Sequence, residues 1–215
     1  MLKYNVHVSS VAQLSILNYM SMTYNKNYKL RDAVEIYMNN IFDAVNRTIE
    51  PYKVQVIGDY SRLTFEELPI SIPPDKICQT NNAVETINNA AKIALGWPVT
   101  PGIGNRIIIY QCVVGPPNQI KKKIEKIGDC GNLAVFHTIS PGSIVKDLVD
   151  TVQGALTNNS NYRNSPNSQS YIKNLCNYVK TCAVNNSHIG HLMKGLVNLK
   201  NNHRARIYEI EGDRK

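Results

Sequence analysis

The chain has 215 residues, 43% of them hydrophobic, and carries a formal net charge of +8. This length suits one domain with a full core, alone or with a tail, and no apolar run approaches the ~20 residues that a membrane-spanning helix needs. The positive charge indicates an acidic partner, such as nucleic acid, a sulfated glycan or a membrane surface, or serves only solubility.

Five cysteines and three glycosylation sequons bear on the compartment. The cysteines are too widely spaced for a zinc ribbon or finger and suit buried thiols or long-range disulfides: Cys78, Cys112, Cys130, Cys176 and Cys182. An odd number leaves one sulfur unpaired in an oxidising compartment, so the count does not decide between these roles. The sequons at Asn46, Asn158 and Asn185 are compatible with secretion, but an Asn-rich chain also produces them by chance. Met1–Tyr4 begins a strand pattern instead of a signal peptide, which indicates a cytosolic protein or a mature form whose leader was removed.

The first part of the chain predicts a βαβ unit. Apolar and polar residues alternate from Leu2 to Ser9, which indicates a half-buried strand with His7 facing solvent. After a polar Asn/Tyr loop, apolar residues at helical spacing predict a long helix over Leu30–Glu50. A second strand is predicted over Lys53–Gly58, and two strands joined by a helix favour a parallel, right-handed crossover.

The middle of the chain predicts a second helix and two more strands. Leu63–Pro74 is a surface excursion whose adjacent glutamates indicate a solvated turn and not an acid–base pair. The spacing of apolar residues predicts a helix over Asn82–Leu95, and the apolar run Arg106–Tyr110 predicts a central strand. A basic connection containing Lys121–Lys126 then leads to a strand over Asn132–His137, so the predicted sheet has four strands.

The stretch Ser140–Leu156 predicts the helix around which we expect the fold to be organised. Ser143 is the expected N-cap, because a proline and a glycine end the preceding element. The helix has an apolar and a polar face: Ile144, Leu148, Val152 and Leu156, widened by Val145 and Val149, against Lys146, Asp147, Asp150 and Gln153. No histidine or cysteine lies between His137 and Cys176, so this helix offers a metal none of the usual nitrogen or sulfur ligands.

Three segments, taken in order, resemble parts of the reprolysin (adamalysin) branch of the metzincin metallopeptidases. Tyr37–Gly58 is similar to that family's first long helix and second strand. Asp129–Ser143 (DCGNLAVFHTISPGS) resembles its cysteine, edge strand and lead into the zinc helix, and Asn161–Ile172 followed by Cys182 resembles its closing segment. The resemblance implies an α/β fold with a metzincin-like twisted, mixed and mostly parallel sheet carrying packed helices, in a secreted, disulfide-bonded protein.

The same resemblance argues against peptidase activity. In the family, the zinc helix carries two histidines one turn apart and a glutamate that activates the metal-bound water. The corresponding positions offer no such ligand set in either of two registers: Asp150, Thr151 and Gly154 in one, Val152, Gln153 and Leu156 in the other. We therefore predict a pseudoenzyme without catalytic residues, metal or cofactor, made of a degenerate domain over residues 1–183 and a basic C-terminal extension over residues 184–215.

One alternative is an active zinc metalloendopeptidase with an atypical histidine site. Ser187–Gly195 superficially resembles a zinc helix, and His203 lies downstream as a possible third ligand. His188 and His191 are three residues apart where the family has four, and no glutamate lies between them to act as general base. A pair at this spacing can still chelate a metal, so zinc is the alternative cofactor.

The function predicted from these observations is binding. A metallopeptidase-like domain without its ligands can act as an interaction or structural protein, and the charge favours an unidentified protein or an acidic glycan as the partner. The second alternative is a basic, nucleic-acid-associated structural protein, although nucleic acid is not the expected partner. Its natural contacts would be the basic residues Lys121, Lys122, Lys123, Lys126, Arg204 and Arg206.

Overall fold

A computed structural model describes the fold over residues 2–52, 54–70, 72–78, 82–97, 105–112, 122–127 and 131–157. These ranges contain five strands and five α-helices. Their order is β1 (Leu2–Val8), α1 (Ser10–Tyr24), α2 (Leu30–Ile49), β2 (Val56–Asp59), α3 (Pro74–Ile77), α4 (Ala83–Gly96), β3 (Asn105–Ile109), β4 (Lys122–Ile127), β5 (Gly131–Phe136) and α5 (Pro141–Thr157).

The five strands form one mixed sheet in the order β2-β1-β3-β5-β4. All neighbouring strands are parallel except β4 and β5, which are antiparallel. The central strands pair Val6 with Ile107 and Ile108 with Val135. The predicted α/β class with a mixed, mostly parallel sheet is therefore confirmed.

The first face of the sheet is covered by three helices, α1, α2 and α5. The apolar stripe predicted for α2 is buried there, together with the α5 residues Ile144, Leu148 and Val152. The strands contribute every second residue, such as Tyr4, Val6 and Ile107. This face holds the larger apolar core of the described chain.

The second face is covered by α4 and by the connection over residues 60–78. Phe65, Leu68 and Ile77 of that connection pack with the buried side of α4 and with Ile108 of β3. Arg106 is also buried on this face, where its guanidinium donates hydrogen bonds to the carbonyl oxygens of Ala94 and Trp97. A cation thus satisfies carbonyl groups at the C-terminal end of α4, where the helix dipole is negative.

The segment between β1 and α2 contains a helix, so the predicted polar loop is wrong there. Ser9 is the N-cap of α1, because its Oγ accepts a hydrogen bond from the backbone nitrogen of Ala12 at 3.3 Å. Ala12, Ile16 and Met20 pack into the first-face core. Apolar residues also occur on the outer side of α1, so the sequence has no clean stripe from which to recognise the helix.

The basic connection is also partly wrong, because Lys122–Ile127 forms β4. Lys122 points to the first face and forms an ion pair with Asp147 of α5. Lys123 points to the second face and donates to Oδ1 of Asn88 in α4 at 2.9 Å. These two adjacent lysines thus connect an edge strand to helices on both faces of the sheet.

The boundaries and polar face of α5 differ from the prediction. The helix begins at Pro141, and the backbone nitrogen of Ile144 donates to the carbonyl of Ser140, so Ser143 is inside the helix and is not its N-cap. Asp147, predicted on the polar face, is buried because it meets Lys122. The strand predicted from Lys53 likewise begins later, at Val56.

Candidate functional site

The carboxyl ends of β1 and β3 form the edge where open α/β sheets usually bind ligands, because the strand order reverses there. Here the chain's own polar groups bond to one another at this edge. The Ser9 Oγ accepts from the backbone nitrogen of Gln111 at 3.0 Å. The side-chain amide of Gln13 donates to the carbonyl of Val8 at 3.0 Å and lies 3.3 Å from the Thr64 hydroxyl oxygen.

Glu66 closes the same edge from the second face. Its two carboxylate oxygens lie 3.0 and 3.3 Å from the backbone nitrogen of Ser10 and accept its hydrogen. A carboxylate is favourable at the N-terminus of α1, because the first backbone N–H groups have no partner within the helix and the dipole is positive there. Glu66 and Glu67 lie in a short 3₁₀ turn, and Glu66 has a capping role that the predicted solvated turn did not include.

His7 is buried on the second face, with 4% of its surface exposed, so the predicted solvent-facing position is wrong. Its Nδ1 lies 2.6 Å from the carbonyl oxygen of Arg62. Burial lowers the pKa of His7, and the positive charges of Arg106 and Arg62 act in the same direction, against the hydrogen bond to Arg62 and the charge of Asp59. The Arg62 guanidinium also lies over the Trp97 ring, 5.1 Å from its centroid, and so covers this part of the sheet.

The residues at the presumed zinc-helix positions lie in the second half of α5. Thr151 is buried, and its hydroxyl donates to the carbonyl of Asp147 at 2.7 Å. Asp150 and Gln153 are half-buried, and Gly154 lies in the same helix. Among the described residues, no group of three or more histidine, cysteine, aspartate or glutamate side chains could hold a metal ion. The alternative ligands His188, His191 and His203 lie outside the described residues, so both site assignments stay predictions.

One disulfide, between Cys78 and Cys112, joins the end of the connection on the second face to the chain just after β3. The two Cα atoms are 5.8 Å apart, within the range that a disulfide allows. Cys130, Cys176 and Cys182 lie outside the described residues. Both cysteines were candidates from the sequence, but their pairing depends on where the connection lies relative to β3, which the spacing of cysteines does not define.

Asn46, the first of the three sequons, has a structural role within the described fold. Its side-chain oxygen accepts from the backbone nitrogen of Val56 at 2.7 Å, and its side-chain nitrogen donates to the carbonyl of Val56 at 2.9 Å. The amide nitrogen is the atom to which a glycan would be attached. The Asn46 side chain thus connects α2 to the edge strand β2. Because its amide nitrogen is engaged in this contact, the sequon gives no support for glycosylation.

The basic residues assigned to a nucleic-acid contact do not form a described patch. Lys122 and Lys123 contact α5 and α4, as described above. Lys121, Arg204 and Arg206 lie outside the described residues, and the side chain of Lys126 is also outside them. Two of the six predicted contacts are therefore engaged within the fold.

The outer surface of α1 is the exposed feature that the sequence reasoning missed. Leu14 is 55% exposed and Met22 is 84% exposed, and Asn18 lies between them on the same side of the helix. No residue of α1 is charged, although the whole chain carries +8. This absence of charge over fifteen residues is the signal that could have identified the surface. Across the part of the chain that the structure describes, every helix is too short or too polar to span a bilayer.

A family model described as Spore wall protein 7, a microsporidian family, matches the chain over residues 1–215. No curated protein and no solved structure matches the chain.

This match overturns the resemblance to the reprolysin and metzincin metallopeptidases, and with it the predicted pseudoprotease. The two alternatives, a zinc metalloendopeptidase and a nucleic-acid-associated protein, do not fit the family either. The three segments behind the resemblance contain a long helix, a strand and a cysteine but no catalytic motif. Unrelated α/β chains can share such elements, because the same packing rules select them.

Proposed function

Because the chain belongs to the Spore wall protein 7 family, we propose that it is a structural component of the spore wall. The match over all 215 residues carries this proposal. An extracellular or wall location follows from it and agrees with the location expected from the sequence. Such a component works by keeping its shape and binding its neighbours, so the proposal includes no enzymatic activity and no cofactor.

The disulfide supports a wall location. Disulfides persist in oxidising, extracellular environments and are rare where glutathione and thioredoxin keep thiols reduced. Cys78 and Cys112 are close enough to be joined without moving the backbone. A covalent bond within the fold also suits a protein that must last outside the cell.

The geometry at the carboxyl ends of β1 and β3 supports a role that does not require turnover. Ser9 and Gln13 bond to backbone groups, and Glu66 caps α1. These are polar side chains of the kinds that serve as nucleophile, amide donor or base in enzymes. Here their hydrogen bonds hold the ends of two strands and the start of a helix.

We include in the proposal a partner within the wall, either a protein or an acidic glycan. The net charge of +8 supports an acidic partner, because it attracts negative surfaces at low ionic strength. Binding to such a partner should weaken as salt screens the charges. The metzincin-like detail of the fold prediction stays a prediction and contributes nothing to this proposal.

Immunogold electron microscopy of thin-sectioned spores tests the proposed location. Antibodies raised against the purified chain should label the wall, and preincubation with that chain should remove the label. Labelling confined to the cytoplasm or to internal membranes would contradict the proposal. Fractionation gives a second readout, because a structural component should remain with isolated walls after a salt wash that removes loosely attached protein.

A further inference from the structure

The α1 outer surface, defined here as Val11, Leu14, Asn18 and Met22, is an uncharged surface of the described fold that carries large, exposed apolar side chains. Leu14 and Met22 are 55% and 84% exposed, and they lie on one side of the helix because they are eight residues apart. Ser15 and Ser21 beside them are small enough to let a second helix approach closely. Exposed apolar side chains at this spacing are typical of helix-pairing surfaces.

The surface is nearly symmetrical about its centre. Asn18 is four residues from both Leu14 and Met22. If two copies of α1 lie antiparallel with Asn18 near the two-fold axis, Leu14 of each copy faces Met22 of the other. The two Asn18 amides then meet at the centre, where each can donate and accept a hydrogen bond. Such an interface is isologous, because both copies use the same residues.

Charges at the two ends of α1 select this orientation. Glu66 lies at the N-terminal end, where it accepts from Ser10, and Lys26 lies two residues beyond the C-terminal end at Tyr24. The helix is roughly 22 Å long, so these groups are far apart within one copy. In an antiparallel pair, Glu66 of each copy approaches Lys26 of the other, whereas a parallel pair would bring like charges together. Two chains of charge +8 also repel least where neither presents a charge.

We propose that this surface binds the same surface of a second copy of the chain, antiparallel about Asn18. This pairing rests on the proposed function in one respect, because a structural component of the wall must bind its neighbours. It adds a specific neighbour, a second copy of the chain. Two paired helices bury less than the 1,200–2,000 Å² of a standard interface, so we expect a dissociation constant on the order of micromolar or weaker. Contacts of that strength hold a structure together when many copies are locally concentrated.

Sedimentation velocity of the purified full chain, over concentrations from about 1 to about 200 µM, tests self-association. Leu14→Lys should weaken dimerisation at least about tenfold, because it places a charge against the partner's apolar Met22. Leu95→Lys is the matched control. Leu95 is 40% exposed on α4, on the opposite face of the sheet, and the same substitution there should leave dimerisation unchanged.

Charge exchange tests the orientation. Leu14→Lys and Met22→Glu should each weaken self-association, and an equimolar mixture of the two variants should restore it. In an antiparallel pair, the introduced lysine of one copy faces the introduced glutamate of the other. In a parallel pair they do not meet, so a mixture as weak as either variant alone would overturn the proposal.

Three further outcomes would also overturn it. The wild-type chain could remain monomeric up to about 200 µM, or Leu14→Lys could dimerise as well as the wild type. Leu14→Lys could also lower the melting temperature of a monomeric chain by several degrees, which would mean that another segment of the same chain covers α1. None of these outcomes bears on wall location, which the immunogold labelling decides independently.

Discussion

The two faces of the sheet are covered by different means. On the first face, three helices bury one large apolar core, to which every second residue of the central strands contributes. On the second face, the fourteen-residue helix α4 and a connection that contains only the four-residue helix α3 bury a smaller core, supplemented by a buried arginine and a disulfide. The comparison indicates that the second face, with the smaller apolar core, adds a covalent bond and a buried cation to apolar burial.

Neighbouring residues of β3 show this difference most directly. Ile107 points to the first face and Ile108 to the second, and both are fully buried. Arg106 lies on the second face with Ile108, and its guanidinium donates hydrogen bonds to the carbonyl oxygens of Ala94 and Trp97. The same strand thus contributes the apolar contacts of Ile107 and Ile109 to the first face, whereas the second face receives the buried cation of Arg106 beside Ile108.

Removal of the disulfide should have the largest effect on the second face. The bond closes a loop with a sequence separation of 34 residues, and the chain-entropy relation gives about 4 kcal/mol of stabilisation for a loop of that size. Cys78→Ser and Cys112→Ser should each lower the free energy of unfolding by this amount, measured by urea denaturation without reductant. The double variant should lose no more than either single one, because the same bond is lost in all three.

Hydrogen exchange locates the effect of the same substitutions. Amides of α4 should exchange faster in the Cys78→Ser variant, whereas those of α2 should change only as much as global stability requires. If amide exchange became faster by the same factor in α2 and α4, the disulfide would stabilise both faces alike, and the proposed difference between the faces would be wrong.

Truncation of the two isoleucines of β3 compares the faces with matched variants. Ile107→Ala should lower the free energy of unfolding by about 3.5 kcal/mol and Ile108→Ala by about 2.5 kcal/mol. Both lose the same atoms from a fully buried site, but the irregular connection around Ile108 can relax into the cavity more readily than three packed helices can. A larger loss for Ile108→Ala, measured by the same denaturation, would show that the second face is the more rigid one.

Gly58 tests how tightly the first face is packed at its outer strand. A Cβ atom added there would lie 2.5 Å from both the ring carbon Cζ and the hydroxyl oxygen of Tyr60, and 2.8 Å from a ring carbon of Phe42. Gly58→Ala should therefore cost about 2 kcal/mol through displaced aromatic rings. Gly142→Ala is the control, because nothing lies within 4 Å of its added Cβ and alanine favours the helix. If Gly58→Ala were as stable as the Gly142→Ala control, the aromatic rings would move freely to make room for the methyl group.

Local periodicity predicted the elements that bury a regular stripe. The alternation of β1, the spacing in α2 and the apolar run of β3 each correspond to an observed element. The pattern failed for α1, whose apolar residues surround the helix, and for β4, in which four of the six residues are charged. In both, tertiary contacts and not intrinsic periodicity decide the structure.

The candidate site was less predictable than the fold, because it depends on contacts between distant residues. Glu66 caps a helix that begins 56 residues earlier, and Lys122 pairs with Asp147 from the next helix. The family was also assigned wrongly, since the segments that resemble a peptidase contain no catalytic motif. The match of the whole chain to a family model corrected it.

His7 gives the smallest expected effect and shows how the second face misled the sequence reasoning. The alternation of β1 was interpreted correctly, but the polar side of the strand meets the connection over residues 60–78 instead of water. Burial lowers the pKa of His7 in the folded chain below the value of 6.5 expected for an unfolded one. The folded state therefore binds this proton less readily than the unfolded state does.

The sign of the pH dependence follows from that difference. The stability that depends on neutral His7 is fully present above the unfolded pKa, and it is lost as the pH falls from about 6.5 toward the lower pKa of the folded chain. Because His7 binds one proton, its contribution to the slope of the free energy of unfolding against pH cannot exceed about 1.4 kcal/mol per pH unit. His7→Gln retains a donor for the Arg62 carbonyl but does not titrate, so urea denaturation between about pH 4 and 8 should give a shallower slope for this variant. His137, whose pKa burial also lowers, contributes in the same direction and remains in both chains. Equal slopes for the two chains would mean that the connection opens readily to water, and that the second face is less closed than the first.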